Sequence, residues 1–255
     1  MRFVNGLLLA AAVILAASPV YATVYQYFDQ EGTLIVTDNP YKVKKPKPLP
    51  AETKQKINLR YREDVAYDYY PVTGKNFQEL ISSTNLNGPF DAAEGKKYAG
   101  QTKWNLGWSY KFSSSYTLED GYIDVSLNIY DVEFLSDITV LIPQAQDTSN
   151  LSHTDMMLWE GFSQRLLDHE HDHVRIVRDP LYRNDATAKI SSIKQLTVAY
   201  DPRADLDRLI KDAVEAETAR IGHDLIMVIK KQNEEYDRIT DHGLKPEMRG
   251  VFFGR

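Results

Sequence analysis

His169, Glu170 and His173 stand in the order His-Glu-x-x-His within the run DHEHDH at 168–173. Residues four apart lie on one face of an α-helix, one turn from each other. Two imidazoles placed so can reach a single cation, and Glu170, next to the first of them, projects to where a bound water would sit. Zinc suits imidazole ligands and lowers the pKa of its water to about 7. The expected chemistry is hydrolysis: one Zn2+ ion held by His169 and His173, with Glu170 as general base and then proton donor.

The motif fits its helix. Trp159, Phe162, Leu166, His169 and His173 step by three, four, three and four. Both imidazoles therefore continue an apolar stripe and face inward. His171 points to the opposite side and is expected near the surface or behind the site. A cluster of satisfied or solvated histidines, with Asp168 and Asp172 as surface charge, is the plain alternative. Storage or sensing through all three histidines is a sharper one.

A catalytic zinc needs a third protein ligand and an open position. A third His six residues beyond His173 is ruled out, because Asp179 followed by Pro180 stands there. Glu215, Glu217 and Glu235 are available on a later helix. His153 lies roughly 24 Å up the motif helix at about 1.5 Å per residue. His223 falls on the polar side of the later helix. His242 lies about 60° from the centre of that helix's apolar side, and it is the expected third ligand. Asp168, Asp237 and Asp241 are candidates to receive the outer N–H of a ligating imidazole, or else plain surface charge. Tyr236 and Tyr182 are candidates for stabilising an oxyanion, or else packing residues.

The flanking segments must position these groups. Val65 to Val72 has strand character, with Pro71 placing it at an edge or a strand end. Asn76 to Ile81 suggests a short helix. Thr102, Trp104, Leu106, Trp108, Tyr110 and Phe112 alternate with smaller or polar residues, as a half-buried antiparallel strand does. Ile123, Val125, Leu127 and Ile129 repeat the pattern, and Ile138 to Ile142 reads as a third strand stopped by Pro143. The strand near 121–130 is a candidate edge for pairing with an extended peptide. Beyond residue 150 the period becomes helical. Ser152 or Thr154 caps a helix running to Arg178, and a second covers about 204–241, closed by His242-Gly243. Strands followed by helices in separate blocks make an α+β fold, an antiparallel sheet followed by a zincin-like pair of long helices.

The N-terminal region reads differently. Residues 1–22, MRFVNGLLLAAAVILAASPVYA, have the layout of a secretory signal peptide, too short for a comfortable membrane span. The reading sets the destination as periplasmic or extracellular, with no stable membrane span after processing. Residues 23–40 form a hairpin around Gln30-Glu31-Gly32. Tyr27, Asp29, Gly32, Asp38 and Pro40 resemble a small N-terminal module of secreted bacterial proteins. Residues 41–57 are a Lys/Pro-rich linker, 58–245 the main domain and 246–255 a C-terminal tail.

Composition narrows the classes. The 255 residues are 43% hydrophobic and 26% charged, with a formal charge of −6 and no cysteine. That excludes thiol nucleophiles, cysteine-held zinc and iron–sulfur clusters. Scattered Lys and Arg on an acidic chain argue against a nucleic-acid partner.

His169 to His173, followed downstream by Tyr236, Asp237, Thr240, His242 and Gly243, resembles a family of predicted secreted bacterial zinc-dependent proteases, catalogued mainly as a domain of unknown function. Tyr69 to Leu80 and Thr102 to Phe112 resemble its N-terminal half. Asp172 departs from the pattern, where Gly is frequent. The resemblance implies a peptidase without naming a substrate. The expectation is a secreted zinc metallopeptidase acting on a peptide or cell-envelope substrate. Its rival is a non-catalytic envelope protein whose metal site is structural or vestigial.

Overall fold

The computed structural model describes residues 59–254 except Ala93 and Asp120, together with the backbone of two earlier strands, β1 (Ala22–Phe28) and β2 (Leu34–Thr37). The expected leader, but for its last residue, and the expected linker lie outside the described residues. β1 and β2 pair antiparallel.

The main sheet is built on two long strands, β6 and β7. The elements before them are β3 (Ala66–Val72), α1 (Phe77–Asn87) and the short pair β4 (Phe90–Asp91) and β5 (Lys96–Lys97). β6 is Gln101–Glu119 and β7 is Tyr122–Ala145. The strand order is β2-β1-β6-β7-β3, and β8 (Gln195–Ala199) also pairs with β7. β3 runs parallel to β7 at the sheet edge, where Pro71 costs no ladder bond.

The two segments expected as separate strands, 123–129 and 138–142, are one strand. The reason is a bulge. Between the pairs Ser109↔Glu133 and Lys111↔Tyr130, β7 carries one residue more than β6, and Asp131 takes φ 52° there. The extra residue flips the parity of β7. Odd positions from Ile123 to Ile129 face the core, and even positions from Ile138 to Ile142 do. Alternation read along the chain breaks at that point although the strand does not.

The helices follow. α2 is His153–Val177, with Ser152 accepting from the Asp155 N–H at 3.1 Å as N-cap, a bond worth about 1 kcal/mol. Asp179-Pro180 ends it as expected but also starts α3 (Pro180–Ser191), where Pro occupies the first turn without losing a bond. α4 is Leu206–Thr240, capped by Asp205. Neither α3 nor β8 is among the expected elements, since both are short and weakly patterned. The segment expected as a tail folds into a 3₁₀ turn, Pro246–Met248, and α5 (Arg249–Phe253).

One apolar core joins sheet and helices, with Trp108, Tyr110 and Phe112 of β6 against Leu167 and Val174 of α2 and Ile221 and Leu225 of α4. α4 comes close because residue 222 is Gly. A Cβ there would lie 2.1 Å from Cη2 of Trp108. A second cluster, Tyr70, Val72, Leu80, Ala145 and Trp159, fixes the first half of α2 against α1 and the sheet. The arrangement is α+β. Among the described residues, no helix is long and apolar enough to cross a membrane.

Candidate metal centre

α2 turns His169, Glu170 and His173 inward, and all three are buried. The last turns of α4 bring Asn233, Tyr236 and Asp237 against them. His169 Nε2 lies 3.2 Å from His173 Nε2. Asp237 Oδ1 lies 3.2 Å from the first and 3.0 Å from the second. These three donors form the group of His and acidic side chains, among the described residues, that could hold a metal ion.

The triangle fits a first-row divalent cation. With bonds of about 2.0–2.1 Å to nitrogen and oxygen, one face of a tetrahedral site has edges of about 3.3 Å. The outer shell fits as well. His173 Nδ1 and Asn233 Oδ1 are 2.7 Å apart, and the Asn233 amide donates to the Ile229 carbonyl. Asn233 thus presents its oxygen, which sets the proton on Nδ1 and leaves Nε2 with a lone pair. His169 Nδ1 is buried without a hydrogen-bond partner.

The electrostatics point the same way. Burial alone would raise the Asp237 carboxyl, yet its hydrogen bonds to His169 and His173 and their charge hold it well below the usual carboxylate range. Burial would lower the His173 imidazole, but the hydrogen bond and charge of Asp237, with Glu170 and Asn233, raise it to about 9. Without a cation, the positive charge that Asp237 favours here is a proton on His173, which a bound cation would displace from Nε2.

His242, expected as third ligand, is not in this group, and Asp237, expected at most behind a ligand, is. The correction has a geometric cause. Asp237 stands on α4, one turn beyond Asn233, so its short side chain meets α2 directly. His242 follows the helix end, where the backbone N–H bonds back to the Asp237 carbonyl at 2.9 Å. Its ring stacks on Tyr98, centroids 4.5 Å apart, and its Nε2 lies 3.4 Å from the Tyr98 hydroxyl and 3.7 Å from Glu94. Glu215, Glu217 and Glu235 stand outside the group too. Glu217 pairs with Arg220 and Glu235 with Arg238.

Glu170 sits beside the triangle. Thr102 Oγ1 donates to its Oε2 at 2.7 Å. The carboxylate lies against Gly100, where a Cβ would come within 2.5 Å of Oε1. A glycine at 100 therefore makes the room that Glu170 occupies.

Behind the donors stands Tyr236, fully buried. Its ring stacks on His169 at 5.0 Å and meets His173 edge-on at 5.2 Å. Its hydroxyl donates to Asp172 at 2.5 Å, and Arg249 clamps both oxygens of that carboxylate. Asp172 is thus a buried support, not surface charge, and Tyr236 has no free hydroxyl for an oxyanion. Phe252 and Phe253 of α5 pack on Tyr236 from the far side. Tyr182 lines a different cavity. His171 faces away from the donors and bonds Tyr67 at 2.7 Å.

A cavity of about 200 Å³ opens onto the donors. Its walls include Glu94, Tyr98, Gly100, Thr102, Trp104, Leu166 and His242. Residues 122–126, within the stretch expected as a peptide-pairing edge, are paired on both sides, with β6 and with β8. The strand beside the cavity is the start of β6. β1 pairs with β6 from Gly107 to Phe112. Among the described residues, 101–106 pair with β7 alone.

The unexpected members of the site have a signal in the sequence. From Ile229 to Ile239, positions that should continue the apolar side of α4 hold Asn233, Tyr236 and Asp237. Polar residues on an inward stripe mark a site as clearly as His169 and His173 do.

The family model of a bacterial protein of unknown function, DUF922, matches residues 67–243, and the chain belongs to that family. No curated protein matches it, and no solved structure does.

Proposed function

We propose that this member of the DUF922 family is a zinc-dependent hydrolase of peptide or amide bonds. The observation that carries the reading is the meeting of two imidazole nitrogens and one carboxylate oxygen at 3.0–3.2 Å, in a cavity that also takes the Glu170 carboxylate. A set of two nitrogens and one oxygen suits zinc. When bound, zinc supplies Lewis acidity toward a carbonyl group and toward water at neutral pH.

The chain's own residues supply the rest. His169, His173 and Asp237 fix the cation. Glu170, oriented by Thr102, takes a proton from the attacking water and delivers it to the departing nitrogen. The β6 stretch 101–106 offers backbone groups to an extended peptide lying across the cavity. A purely structural zinc site is closed by a fourth protein donor, and among the described residues three donors meet. That favours a hydrolase over an envelope scaffold. The same proposal places the chain in the periplasm or beyond, on the leader-like residues 1–22.

The test uses the purified protein, native mass spectrometry and labelled casein. Wild type should carry one zinc and cleave. Glu170→Gln should keep the zinc and lose turnover by about 10²–10⁴. A protein that binds no zinc, or a Glu170→Gln variant that cleaves as fast as wild type, refutes the reading.

A further inference from the structure

We propose that His242 is a further catalytic residue of this site, donating a hydrogen bond from its ring to the substrate carbonyl oxygen as negative charge gathers there. The inference rests on the hydrolase reading above and assigns a residue that lines the same cavity as the donors.

Three observations carry it. The first is backbone conformation. Asp241, His242 and Gly243 are successive left-handed residues, at φ 54°, 51° and 82°. One left-handed residue is enough to end a helix. A non-glycine residue there costs free energy and persists where the surroundings demand it. Here the turn does two things at once. It lays Gly243 on His169, where a Cβ would stand 3.0 Å from the ring, and it puts the His242 ring on the cavity wall.

The second is support. Tyr98 stacks on the ring and gives its own proton to Glu94. The tyrosine thereby orients the imidazole while the nearest polar contact to Nε2 stays long, at 3.4 Å. The ring is held by stacking, and no short hydrogen bond to Tyr98 ties down its Nε2.

The third is that three other donors on the cavity wall, Thr102, Asn233 and Tyr98, are committed. The Thr102 hydroxyl serves Glu170, the Asn233 amide serves Ile229, and the Tyr98 hydroxyl serves Glu94. His242 lines the same cavity, and an imidazole in either tautomer keeps one N–H to give. A donor aimed where charge develops contributes strongly in a partly dry site. One helix end thus supplies a metal carboxylate, Asp237, the wall behind it, Tyr236, and a donor for the substrate, His242.

The test needs no turnover. Cobalt(II) is bound to the full chain and acetohydroxamate is titrated in, followed by the visible cobalt spectrum. The hydroxamate carbonyl oxygen stands in for the substrate's. Asn tolerates the left-handed backbone, so His242→Asn keeps the turn while its shorter side chain falls short of the ligand. His242→Asn should bind one cobalt as wild type does and bind acetohydroxamate at least tenfold more weakly. Unchanged acetohydroxamate affinity overturns the proposal and leaves the metal site standing. Loss of cobalt from His242→Asn overturns it by making His242 a ligand. Failure of wild type to bind cobalt overturns the metal site and this inference with it. A thermal melt reports folding, and His242→Gln is the second variant should His242→Asn not fold.

Discussion

Asp237 Oδ1 lies 3.0 Å from His173 Nε2, although 64 residues separate them. The contact joins the two long helices at a point where both turn polar residues inward. Replacing outer-shell partners of a metal ligand costs about 10–100-fold in affinity, so removing a ligand should cost more. Asp237→Ala is expected to lose zinc affinity by at least about 100-fold. Competition against a chelator of known affinity measures it. Near wild-type affinity would remove Asp237 from the donor set.

Asn233 sets the tautomer of His173. Asn233→Ala should weaken zinc by about 10–100-fold and leave the fold intact. Its effect should be smaller than that of Asp237→Ala in the same competition assay, since it orients a ligand without being one. An equal or greater loss would reverse the two roles.

Gly222 lets α4 rest on Trp108. A Cβ at 2.1 Å from the indole must displace a fully buried ring or the helix. Overpacking of this kind costs about 1–3 kcal/mol, and in a chain of this size each kcal/mol lowers Tm by about 2–4 °C. Gly222→Ala should therefore melt lower by calorimetry. Gly95→Ala, with open space around it but φ 66°, serves as a comparison in which strain acts without a clash, and it should melt closer to wild type.

Asp64 ties the start of the domain to the end of α2. It accepts from Arg62 and pairs with Arg178, which also bonds the Asp64 carbonyl at 2.9 Å. The Arg62 hydrogen bond, with the charge of Arg178 and Arg62 outweighing burial, lowers its carboxyl to about 2. A lowered folded value means that the folded state favours the ionised form. The stabilisation is complete above the unfolded value of about 3.9 and is lost as pH falls toward 2. The side chain is half exposed, so the effect is small. Asp64→Asn should melt slightly below wild type at pH 6, and the difference should close between pH 4 and 2. A gap that persists at pH 2 would assign it to packing.

The motif helix is legible in the sequence because its evidence is local. A turn of helix is about 3.6 residues, and Trp159, Phe162, Leu166, His169 and His173 fall on it whatever surrounds them. The capping Ser152, the edge position of Pro71 and the alternation of β6 are local in the same sense. β7 reads as two strands for an equally local reason: one extra residue at the bulge reverses the phase of the alternation.

By itself, the sequence determined the two imidazoles, the acid beside them and the inward face on which they lie, since chain geometry within one helix needs no partner. Only the tertiary structure decided which of many downstream side chains completes the group. α4 has 35 residues, and the turn of it that touches α2 depends on how both helices pack on the sheet, down to a glycine that admits Trp108. That packing brings Asp237 to the imidazoles and leaves His242 on the cavity wall beside Tyr98, because contact between distant segments depends on the shared core and not on their spacing along the chain.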